Sequence, residues 1–288
     1  MKWKLAVIGD PIAHSLSPVI QGQIMEILGV SGEYKAVHVK AEELAGFMEY
    51  ARENLYGFNV TIPHKGAVIP FLDEIDPYAQ SCGAVNTVRI RDGKMTGFNT
   101  DGDGIRAALL QMGADFAGSR VALLGAGGAA RSICRKALNC GAGSVRVFCR
   151  DLEKGSLLTG GDSRGEVLPF SALSAENCGG WADIVINATP LGMEGIGQDF
   201  ADFSFLDGGK PYVCDIVYKP AETNLLKVCR ERGITCKNGL DMLVYQAVYA
   251  FMHFTGLSFD PDKVARQITS GGNPTRPHSL CPTAGTAR

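Results

Sequence analysis

Short apolar segments alternate with amphipathic stretches through the first hundred residues of the chain. Each apolar segment is bounded by turn residues, which is typical of a buried strand, and the predicted strands are 4–8, 34–39 and 58–62. Between these strands, helices are predicted at 17–29 and 41–54. Ser17 is the expected N-cap of the first helix, Pro18 its first residue and Gly29 its end. Strands separated by helices predict a largely parallel α/β sheet.

The dipeptide Asp92-Gly93 predicts a β-hairpin, because Asp-Gly favours a tight two-residue turn. Strands are expected on either side of it, at 87–91 and 94–98. Two strands joined by so short a connection must pair antiparallel, so we expect them to form an antiparallel edge of the first sheet.

The second half of the chain repeats the alternation of strand and helix. Strands are predicted at 120–124, 145–148, 183–187 and 213–217. Helices are predicted at 103–112, 131–138, 223–232 and 240–255, and the last is almost wholly apolar and therefore buried. The Gly-rich stretch 155–165 is predicted to be a loop, and 271–288 has so little to bury that we expect a disordered tail.

Composition supports two domains and excludes several functional classes. The chain has 288 residues, of which 45% are apolar, enough to build two hydrophobic cores. Its formal net charge of −2 leaves no excess positive charge for phosphate contacts, so nucleic acid is not an expected partner. No apolar run reaches the roughly 18–20 residues of a membrane helix. The nine cysteines include no C-x-x-C pair, which argues against a metal site or a disulfide framework and favours a cytoplasmic protein.

The strongest local motif is a glycine turn between a predicted strand and a predicted helix. It fits the pattern G-x-G-x-x-A with Gly125, Ala126, Gly127, Gly128, Ala129 and Ala130. In this context glycine permits a tight turn and a close approach of a pyrophosphate to the backbone, and the helix N-terminus supplies N–H donors. A tight turn without a ligand is the alternative, but the flanking strand and helix favour nucleotide binding.

The end of the next predicted strand bears on the choice of nucleotide. An acidic residue at this position typically binds a ribose 2′-hydroxyl, whereas arginine suits a 2′-phosphate. The sequence offers both charges, with Arg150, Asp151 and Lys154. Solvated surface charge is the alternative explanation for all three.

Two polar segments are candidates for the reaction chemistry. The segment 59–65 follows a predicted parallel strand, where open α/β sheets bind ligands, and 99–102 lies at the predicted junction of the two domains. Lys65 and Asp101 in an interdomain cleft would be able to hold and exchange a proton. Their spacing in the sequence leaves open whether they pair.

Polar residues near the first and last predicted helices are less specific. Ser15 and Ser17 lie where a carboxylate would gain hydroxyl donors and the helix dipole, but simple N-capping by Ser17 explains that residue better. Gln246 lies in the last helix, where a hydrogen-bonded core amide is the ordinary explanation.

Together these motifs resemble one family, shikimate dehydrogenase. Eight segments match in family order and extend almost to residue 270, namely 9–18, 57–65, 83–87, 97–102, 125–130, 186–193, 215–218 and 239–246. Eight ordered matches are far more specific than any one of them. The resemblance makes the pairing of Lys65 with Asp101 a firm expectation.

The resemblance implies an α/β protein of two domains. A mainly parallel α/β substrate-binding catalytic domain would comprise 1–101 plus 240–270, and a Rossmann-type dinucleotide-binding domain would comprise 102–239. The implied reaction is the reversible NADPH-dependent reduction of 3-dehydroshikimate to shikimate, in aromatic amino acid biosynthesis. The implied enzyme is a monomer or homodimer that needs no metal.

The resemblance also implies roles for individual residues. Lys65 and Asp101 would form the catalytic pair. The substrate would be held by Ser15, Ser17, Asn59, Thr61, Asn86, Tyr218 and Gln246. NADP would be held by Gly125, Ala126, Gly127, Gly128, Ala129, Ala130, Arg150, Asp151, Lys154, Thr189, Ile216 and Gly239.

Two departures from the family pattern leave alternatives open. Gln21 and Gly22 occur where the family often has a histidine, at a position without a catalytic role. The family commonly has Asn-Arg-Thr where this chain has residues 149–151, Cys-Arg-Asp, so NAD is the alternative to NADP. Other functions to weigh are a quinate-preferring enzyme, which often lacks the second serine of the Ser-x-Ser loop, and a nicotinamide-sensing regulator, which would lack the Lys–Asp pair. A methyltransferase would have no use for that pair.

Overall fold

The computed structural model describes residues 2–270, which form two β-sheets flanked by helices. The strands are β1 (Trp3–Gly9), β2 (Gly32–His38), β3 (Gly57–Val60), β4 (Glu74–Ile75), β5 (Thr87–Arg91), β6 (Lys94–Phe98), β7 (Arg120–Leu124), β8 (Ser144–Cys149), β9 (Gly165–Pro169), β10 (Ile184–Asn187), β11 (Tyr212–Asp215) and β12 (Cys236–Lys237). The helices are α1 (Ser17–Ile27), α2 (Leu44–Asn54), α3 (Pro77–Cys82), α4 (Asp101–Leu110), α5 (Gly128–Asn139), α6 (Leu152–Thr159), α7 (Asn224–Glu231), α8 (Leu240–Thr255) and α9 (Pro261–Ser270). The predicted tail, 271–288, lies outside the described residues.

The first sheet has the strand order β2-β1-β3-β5-β6-β4. Its first three strands are parallel, and β5 pairs antiparallel with both β3 and β6. The hairpin of β5 and β6 forms as predicted, but the expectation that it is the edge is wrong. The two-residue strand β4 pairs parallel with β6 and takes the edge, where it covers backbone groups that β6 would otherwise expose.

The second sheet is entirely parallel, with the order β12-β11-β10-β7-β8-β9. Counted from β7 as strand 1, this is the order 3-2-1-4-5-6 of the Rossmann dinucleotide-binding fold, as expected. The chain reverses direction across the sheet between β7 and β10. The loops that follow these two strands therefore open a crevice at their carboxyl ends, where ligands of this fold bind.

The last long helix returns to the first sheet. The apolar face of α8 carries Tyr245, Val248, Phe251 and Phe254 into a core that also contains Leu5 of β1. The same helix packs extensively against α4, and a β-carbon built on Gly104 of α4 would lie only 2.7 Å from the carbonyl oxygen of Met242. Glycine at this position allows the two helix backbones to approach closely.

Three helix starts differ from the sequence prediction. Helix α1 begins at Ser17 with Leu16 as the N-cap residue, so the expectation that Ser17 caps the helix is wrong; its own backbone N–H donates to the Ser15 hydroxyl at 3.3 Å. Helix α4 begins at Asp101 rather than at residue 103, since acidic side chains in a first turn favour the helix dipole. Helix α5 begins at Gly128, within the glycine turn rather than after it.

The prediction of a loop over 155–165 is correct only for residues 160–164, and wrong at both ends. Helix α6 continues to Thr159 and ends at Gly160, whose φ of +58° is the left-handed conformation that glycine adopts without strain, and β9 begins at Gly165. The short elements α3, β4 and β12 and the helix α9 are additions that the sequence pattern did not indicate. Within residues 2–270, no helix has the length and apolar character needed to cross a membrane.

Candidate active site

Lys65 and Asp101 are in direct contact. The Lys65 Nζ atom lies 2.6 Å from Asp101 Oδ2, and the side chains are only 18% and 7% exposed. Lys65 follows β3 in a tight turn, whereas Asp101 is the first residue of α4, where the helix dipole favours its negative charge. A largely buried, charge-assisted hydrogen bond of this kind holds both groups in one orientation.

Asn86 fixes the second oxygen of this carboxylate. Its Nδ2 donates to Asp101 Oδ1 at 2.7 Å and to Thr100 Oγ1 at 3.1 Å. Its Oδ1 accepts from the Thr100 backbone N–H and from the Thr87 hydroxyl. Asn86 is 2% exposed, and both polar atoms of its side chain form hydrogen bonds within the protein. Through its Nδ2 atom, Asn86 holds the Asp101 carboxylate in place.

A second group of polar side chains extends from this network towards α1. Asn59 of β3 donates to the Asn86 carbonyl oxygen and to Thr87, both at 3.0 Å. Asn59 Oδ1 in turn accepts from the Tyr34 hydroxyl at 2.7 Å. Burial raises the pKa of Tyr34 well above its ordinary value.

The remaining predicted substrate residues come from three different parts of the fold. Thr61 follows β3 at the carboxyl edge of the first sheet, where a β-carbon built on Gly9 would lie 2.5 Å from Thr61 Cγ2. Gln246 lies on α8 against α4 and donates to the Leu243 carbonyl oxygen at 2.8 Å. Tyr218 follows β11 but packs against the core beneath the first sheet, and burial raises its pKa. Tyr218 therefore follows a strand of the second sheet but packs against the core of the first.

The glycine turn is open to solvent and close to Lys65. Gly125 has a φ of +106°, and Gly127 and Gly128 are exposed. Among residues 2–270, no side chain caps α5, its first turn carries no acidic residue, and beyond its chain neighbours and its own helix no heavy atom lies within 4 Å of a β-carbon built on Gly127. On Gly128 the nearest atom would be Lys65 Cδ, at 3.8 Å. The unpaired N–H groups of this helix start thus lie beside the Lys–Asp pair.

A buried carboxylate organises the adjacent loops of the second sheet. Asp215, at the end of β11, accepts from Asn187 Nδ2 at 2.9 Å, from the Thr223 hydroxyl at 2.7 Å and from the Val217 N–H at 3.1 Å. Burial raises the pKa of Asp215 above its ordinary 3.8. Asn187 also accepts from the Thr189 hydroxyl at 2.6 Å, so Asp215 fixes Thr189 indirectly at the mouth of the crevice.

Ile216 and Gly239 touch each other at the same edge. A β-carbon built on Gly239 would lie 2.0 Å from the Ile216 carbonyl oxygen, and the Gly239 N–H donates to the Val217 carbonyl oxygen at 3.1 Å. No larger residue fits at position 239 without movement of the backbone. These two residues, to which the resemblance gives a role in holding NADP, are therefore one packed unit.

At the end of β8 the three predicted charges behave differently. Asp151 is the N-cap of α6 and accepts from the Lys154 N–H at 3.0 Å, and its other oxygen pairs with Lys154 Nζ at 3.0 Å. These contacts lower the pKa of Asp151. Arg150 is exposed, and no ion pair within residues 2–270 involves it. Among the described residues, its guanidinium is therefore the cation at this position that keeps its charge unneutralised.

Such an arrangement suits proton transfer next to a bound nucleotide. A lysine in hydrogen-bond contact with a carboxylate can act as a general acid when its proton is drawn to a developing negative charge. Among residues 2–270, no group of three or more His, Cys, Asp or Glu side chains is placed to hold a metal ion. Lys65 and Asp101 are the charged groups that the structure pairs beside the glycine turn.

Sequence reasoning missed several members of the network. Tyr34 carried no signal because it lies in an ordinary strand pattern, and its partner Asn59 is 25 residues away. Ser132 of α5, which accepts from Asn99 Nδ2 at 2.8 Å, was likewise missed. Asn99 itself lies in the segment 99–102, so a polar run next to a catalytic candidate was a usable signal.

Comparison with known proteins gives the same identification. A family model described as the shikimate dehydrogenase substrate binding domain matches residues 7–88. The curated shikimate dehydrogenase (NADP(+)) of Geobacter sp. (strain M21) is 40% identical over 283 residues, which are 93% of this chain and 96% of the relative. The resemblance inferred from eight motifs is thereby confirmed.

Solved structures extend the match to the whole fold. Shikimate 5-dehydrogenase from Thermus thermophilus, in complex with NADP(H) and shikimate, superposes with a TM-score of 0.81 at 33% identity and covers 92% of this chain and 99% of its own. The Listeria monocytogenes enzyme, in complex with shikimate and NAD, gives a TM-score of 0.82 at 31% identity, covering 93% and 96%. Ligand-free 5-ketofructose reductase of Gluconobacter sp. strain CHM43 gives 0.81 at 32% identity, covering 94% and 99%. With two-fifths of its residues identical to a curated relative over nearly its full length, the chain belongs to the shikimate dehydrogenase family.

Proposed function

We propose that the protein catalyses the reversible NADPH-dependent reduction of 3-dehydroshikimate to shikimate, a step of aromatic amino acid biosynthesis. The observation that carries this proposal is the contact of 2.6 Å between Lys65 Nζ and Asp101 Oδ2, next to the exposed glycine turn. It joins a proton donor to a nucleotide-binding turn. The curated relatives named shikimate dehydrogenase (NADP(+)) support the choice of reaction.

In this reaction a ketone becomes a secondary alcohol by gaining one hydride and one proton. A bound reduced nicotinamide would supply the hydride to the ketone carbon. Lys65 donates its proton to the oxygen that becomes negative as the carbonyl bond is reduced. Asp101 holds the lysine in one orientation through their hydrogen bond, and Asn86 keeps Asp101 in place. In the oxidative direction Lys65 takes the proton back.

The polar residues around this pair suit a cyclic carboxylate with several hydroxyls. Ser15 and Ser17, with Tyr218, would hold the carboxylate near the start of α1, where the helix dipole favours an anion. Thr61, Asn59, Asn86 and Gln246 would bind the ring hydroxyls. Direct contact by Asn86 requires that one of its present amide bonds, to Asp101 or Thr100, be shared with the substrate.

The features of the second sheet fit a dinucleotide. The backbone from Gly125 to Ala130 would hold the pyrophosphate, because Gly127 and Gly128 are exposed and no side chain within residues 2–270 caps α5. Thr189, Ile216 and Gly239 line the same edge and would hold the nicotinamide side. Arg150 would bind a 2′-phosphate, and the pairing of Asp151 with Lys154 removes much of the charge that opposes NADP. We therefore propose NADP as the preferred cofactor.

We also propose the domain division expected from the sequence. Residues 1–101 and 240–270 would form the substrate domain, and 102–239 the dinucleotide domain. The two sheets and the return of α8 to the first core support this division. The boundary at 101 coincides with the start of α4, so this helix would serve as the connection between the domains. A cytoplasmic location and a monomeric or homodimeric state remain predictions; sedimentation of the purified protein distinguishes the two assemblies.

A substrate panel tests the proposed function. Purified protein is assayed by absorbance of the reduced nicotinamide with shikimate or quinate and either oxidised cofactor, and with 5-ketofructose and either reduced cofactor. The proposal expects the highest kcat/KM with shikimate and NADP. The panel includes 5-ketofructose because the structure of the 5-ketofructose reductase matches this chain as well as those of the dehydrogenases do. A higher kcat/KM with quinate or 5-ketofructose would overturn the proposed substrate.

A further inference from the structure

Asn99 links three parts of the active region. Its Oδ1 accepts from the backbone N–H of Asp101 at 3.1 Å. Its Nδ2 donates to the Ala84 carbonyl oxygen at 2.9 Å and to Ser132 Oγ at 2.8 Å. Asn99 is 3% exposed, so these bonds are shielded from competition by water. One side chain therefore connects the backbone of Asp101 to a residue of α5.

Ser132 carries this connection to the glycine turn. It lies on α5, is fully buried, and donates from Oγ to the carbonyl oxygen of Gly128 at 3.3 Å. Gly128 is the residue whose β-carbon position lies 3.8 Å from Lys65 Cδ. The hydrogen bonds thus run from Asp101 through Asn99 and Ser132 to the start of the helix beside Lys65.

Other contacts press α5 against the segment that follows Asp101. Lys136 of α5 pairs with Asp103 at 2.6 Å and lies over the ring of Tyr78, 4.4 Å from its centroid. The Tyr78 hydroxyl donates to the Ser132 carbonyl oxygen at 2.7 Å. A β-carbon on Gly102 would lie 1.9 Å from the Tyr78 hydroxyl, so only glycine allows this fit. The residues on both sides of Asp101 are therefore docked on the helix of the glycine turn.

We propose that Asn99 and Ser132 are positioning residues that couple occupation of the nucleotide turn to the geometry of the Lys65–Asp101 pair. A ligand that fixes the start of α5 also fixes Gly128, and through Ser132 and Asn99 it fixes the backbone of Asp101. Substrate bound at the pair acts back along the same bonds, because coupling between two binding sites is reciprocal. The inference rests on the proposed function for the identity of the two ligands.

Removal of the Ser132 hydroxyl tests the coupling. In Ser132→Ala, Asn99 keeps its bond to Ala84, so the fold is retained while the link to α5 is lost. The matched control is Ser81→Ala, which removes a hydroxyl bonded to the nearby Tyr78 carbonyl oxygen without touching the link. Ser132→Thr restores a hydroxyl and is the rescue variant. Thermal denaturation of each variant reports on folding separately.

The readout is the Kd of NADPH, measured by fluorescence with and without saturating shikimate. NADPH and shikimate cannot react with each other, because both are the reduced partners of the proposed reaction. We expect shikimate to tighten NADPH binding about fivefold or more in the unmodified protein and in Ser81→Ala, which is within the usual range of coupling between sites. In Ser132→Ala we expect the factor by which shikimate tightens NADPH binding to fall at least threefold. We also expect kcat to fall by a larger factor than KM rises, and the Kd of NADPH measured without shikimate to stay unchanged. Ser132→Thr recovers the factor.

Two results separate the possible failures. Turnover of shikimate with no coupling in the unmodified protein, or with equal coupling in Ser132→Ala, would overturn this inference and leave the proposed function intact. Absence of both shikimate binding and shikimate turnover would overturn the proposed function and this inference with it.

Discussion

Arg150 and Asp151 lie next to each other at the end of β8. Arg150 would favour a 2′-phosphate on the ribose of the cofactor, whereas Asp151 would favour a 2′-hydroxyl. Asp151 is committed to its own helix, since it caps α6 and pairs with Lys154, whereas Arg150 is exposed. The sequence showed one acid and two bases and left the outcome open. The structure supports NADP because the acid and one base neutralise each other.

Substitutions at these residues are expected to change cofactor selectivity in opposite directions. The unmodified enzyme should prefer NADP over NAD by about 10- to 100-fold in kcat/KM, roughly 1.4–2.8 kcal/mol. Arg150→Ala should nearly abolish the preference. Asp151→Thr keeps an N-cap residue but removes the charge, so it should increase the preference. Arg230→Ala, which removes an exposed arginine paired with Glu222, is the control. A kcat/KM with NAD equal to that with NADP in the unmodified enzyme would make Asp151 the ribose ligand.

The buried carboxyl group of Asp215 leads us to expect a particular dependence of the folding stability on pH. Burial raises the pKa of its carboxyl in the folded protein above the ordinary 3.8. The folded state therefore binds the proton more tightly than the unfolded state, and the stability gained from protonation is lost as pH rises from about 4 through the raised pKa. Asp215→Asn cannot titrate. We expect the Tm of the unmodified protein, relative to that of Asp215→Asn, to fall as pH is raised from about 4 to about 7.

Because both proteins share every other titrating group, the difference between their Tm values isolates Asp215. Thermal denaturation at several pH values measures it. A difference that stays constant over this range, or that grows in favour of the unmodified protein, would contradict the assignment of a raised pKa.

At the scale of elements, Gly239 joins the last turn of the second sheet to α8. The atom that a larger residue would strike is the backbone oxygen of Ile216, which cannot rotate away as a side chain would. Gly239→Ala should therefore lower the stability by about 1–3 kcal/mol, as overpacked substitutions do, and lower the Tm by several degrees. It should also displace Ile216 and weaken cofactor binding.

A matched control exists in the first half of the chain. Gly46 lies within helix α2, and no heavy atom lies within 4 Å of a β-carbon built on it. Gly46→Ala should leave the Tm unchanged or raise it slightly, since alanine favours the helix. Differential scanning calorimetry compares the two variants, and an equal Tm for both would show that the contact at Gly239 is relieved without cost.

Elements with strong local patterns were predictable and those that depend on distant partners were not. Strand β7 and helix α8 have the predicted bounds, because an apolar run between turn residues and a long apolar stretch each specify one structure. The strands β4 and β12 contain two residues each and exist only through pairing with a neighbour, which a local pattern does not contain. Helix α6 was hidden because Gly155 and Gly160 suggested a loop.

The same distinction holds for the site. Lys65 and Asp101 were chosen from their segments, but their pairing depends on a contact across 36 residues that only the resemblance made firm. Tyr34 and Ser132 were missed because nothing in their local sequence distinguishes them from structural residues. Their importance lies in long-range hydrogen bonds to Asn59 and Asn99.

At the scale of the whole molecule, the proposed active site lies where the two halves meet. Lys65 comes from the carboxyl edge of the first sheet, the glycine turn from the second, and Asp101 from the helix that connects them. Helix α8 then returns to the first half and packs against the connecting helix. Neither half alone contains both the proton donor and the nucleotide turn.

The turnover number of the Lys65→Ala variant tests most directly whether Lys65, at the junction of the two halves, is the proton donor. Positioned proton transfer contributes about 10²–10⁴-fold to a rate, so kcat for shikimate oxidation with NADP should fall at least about 100-fold, with a smaller change in shikimate affinity. Lys94→Ala, which removes an exposed lysine paired with Glu74 in the same half, should leave kcat unchanged. A fall in kcat of less than about threefold in Lys65→Ala would show that Lys65 is not the proton donor.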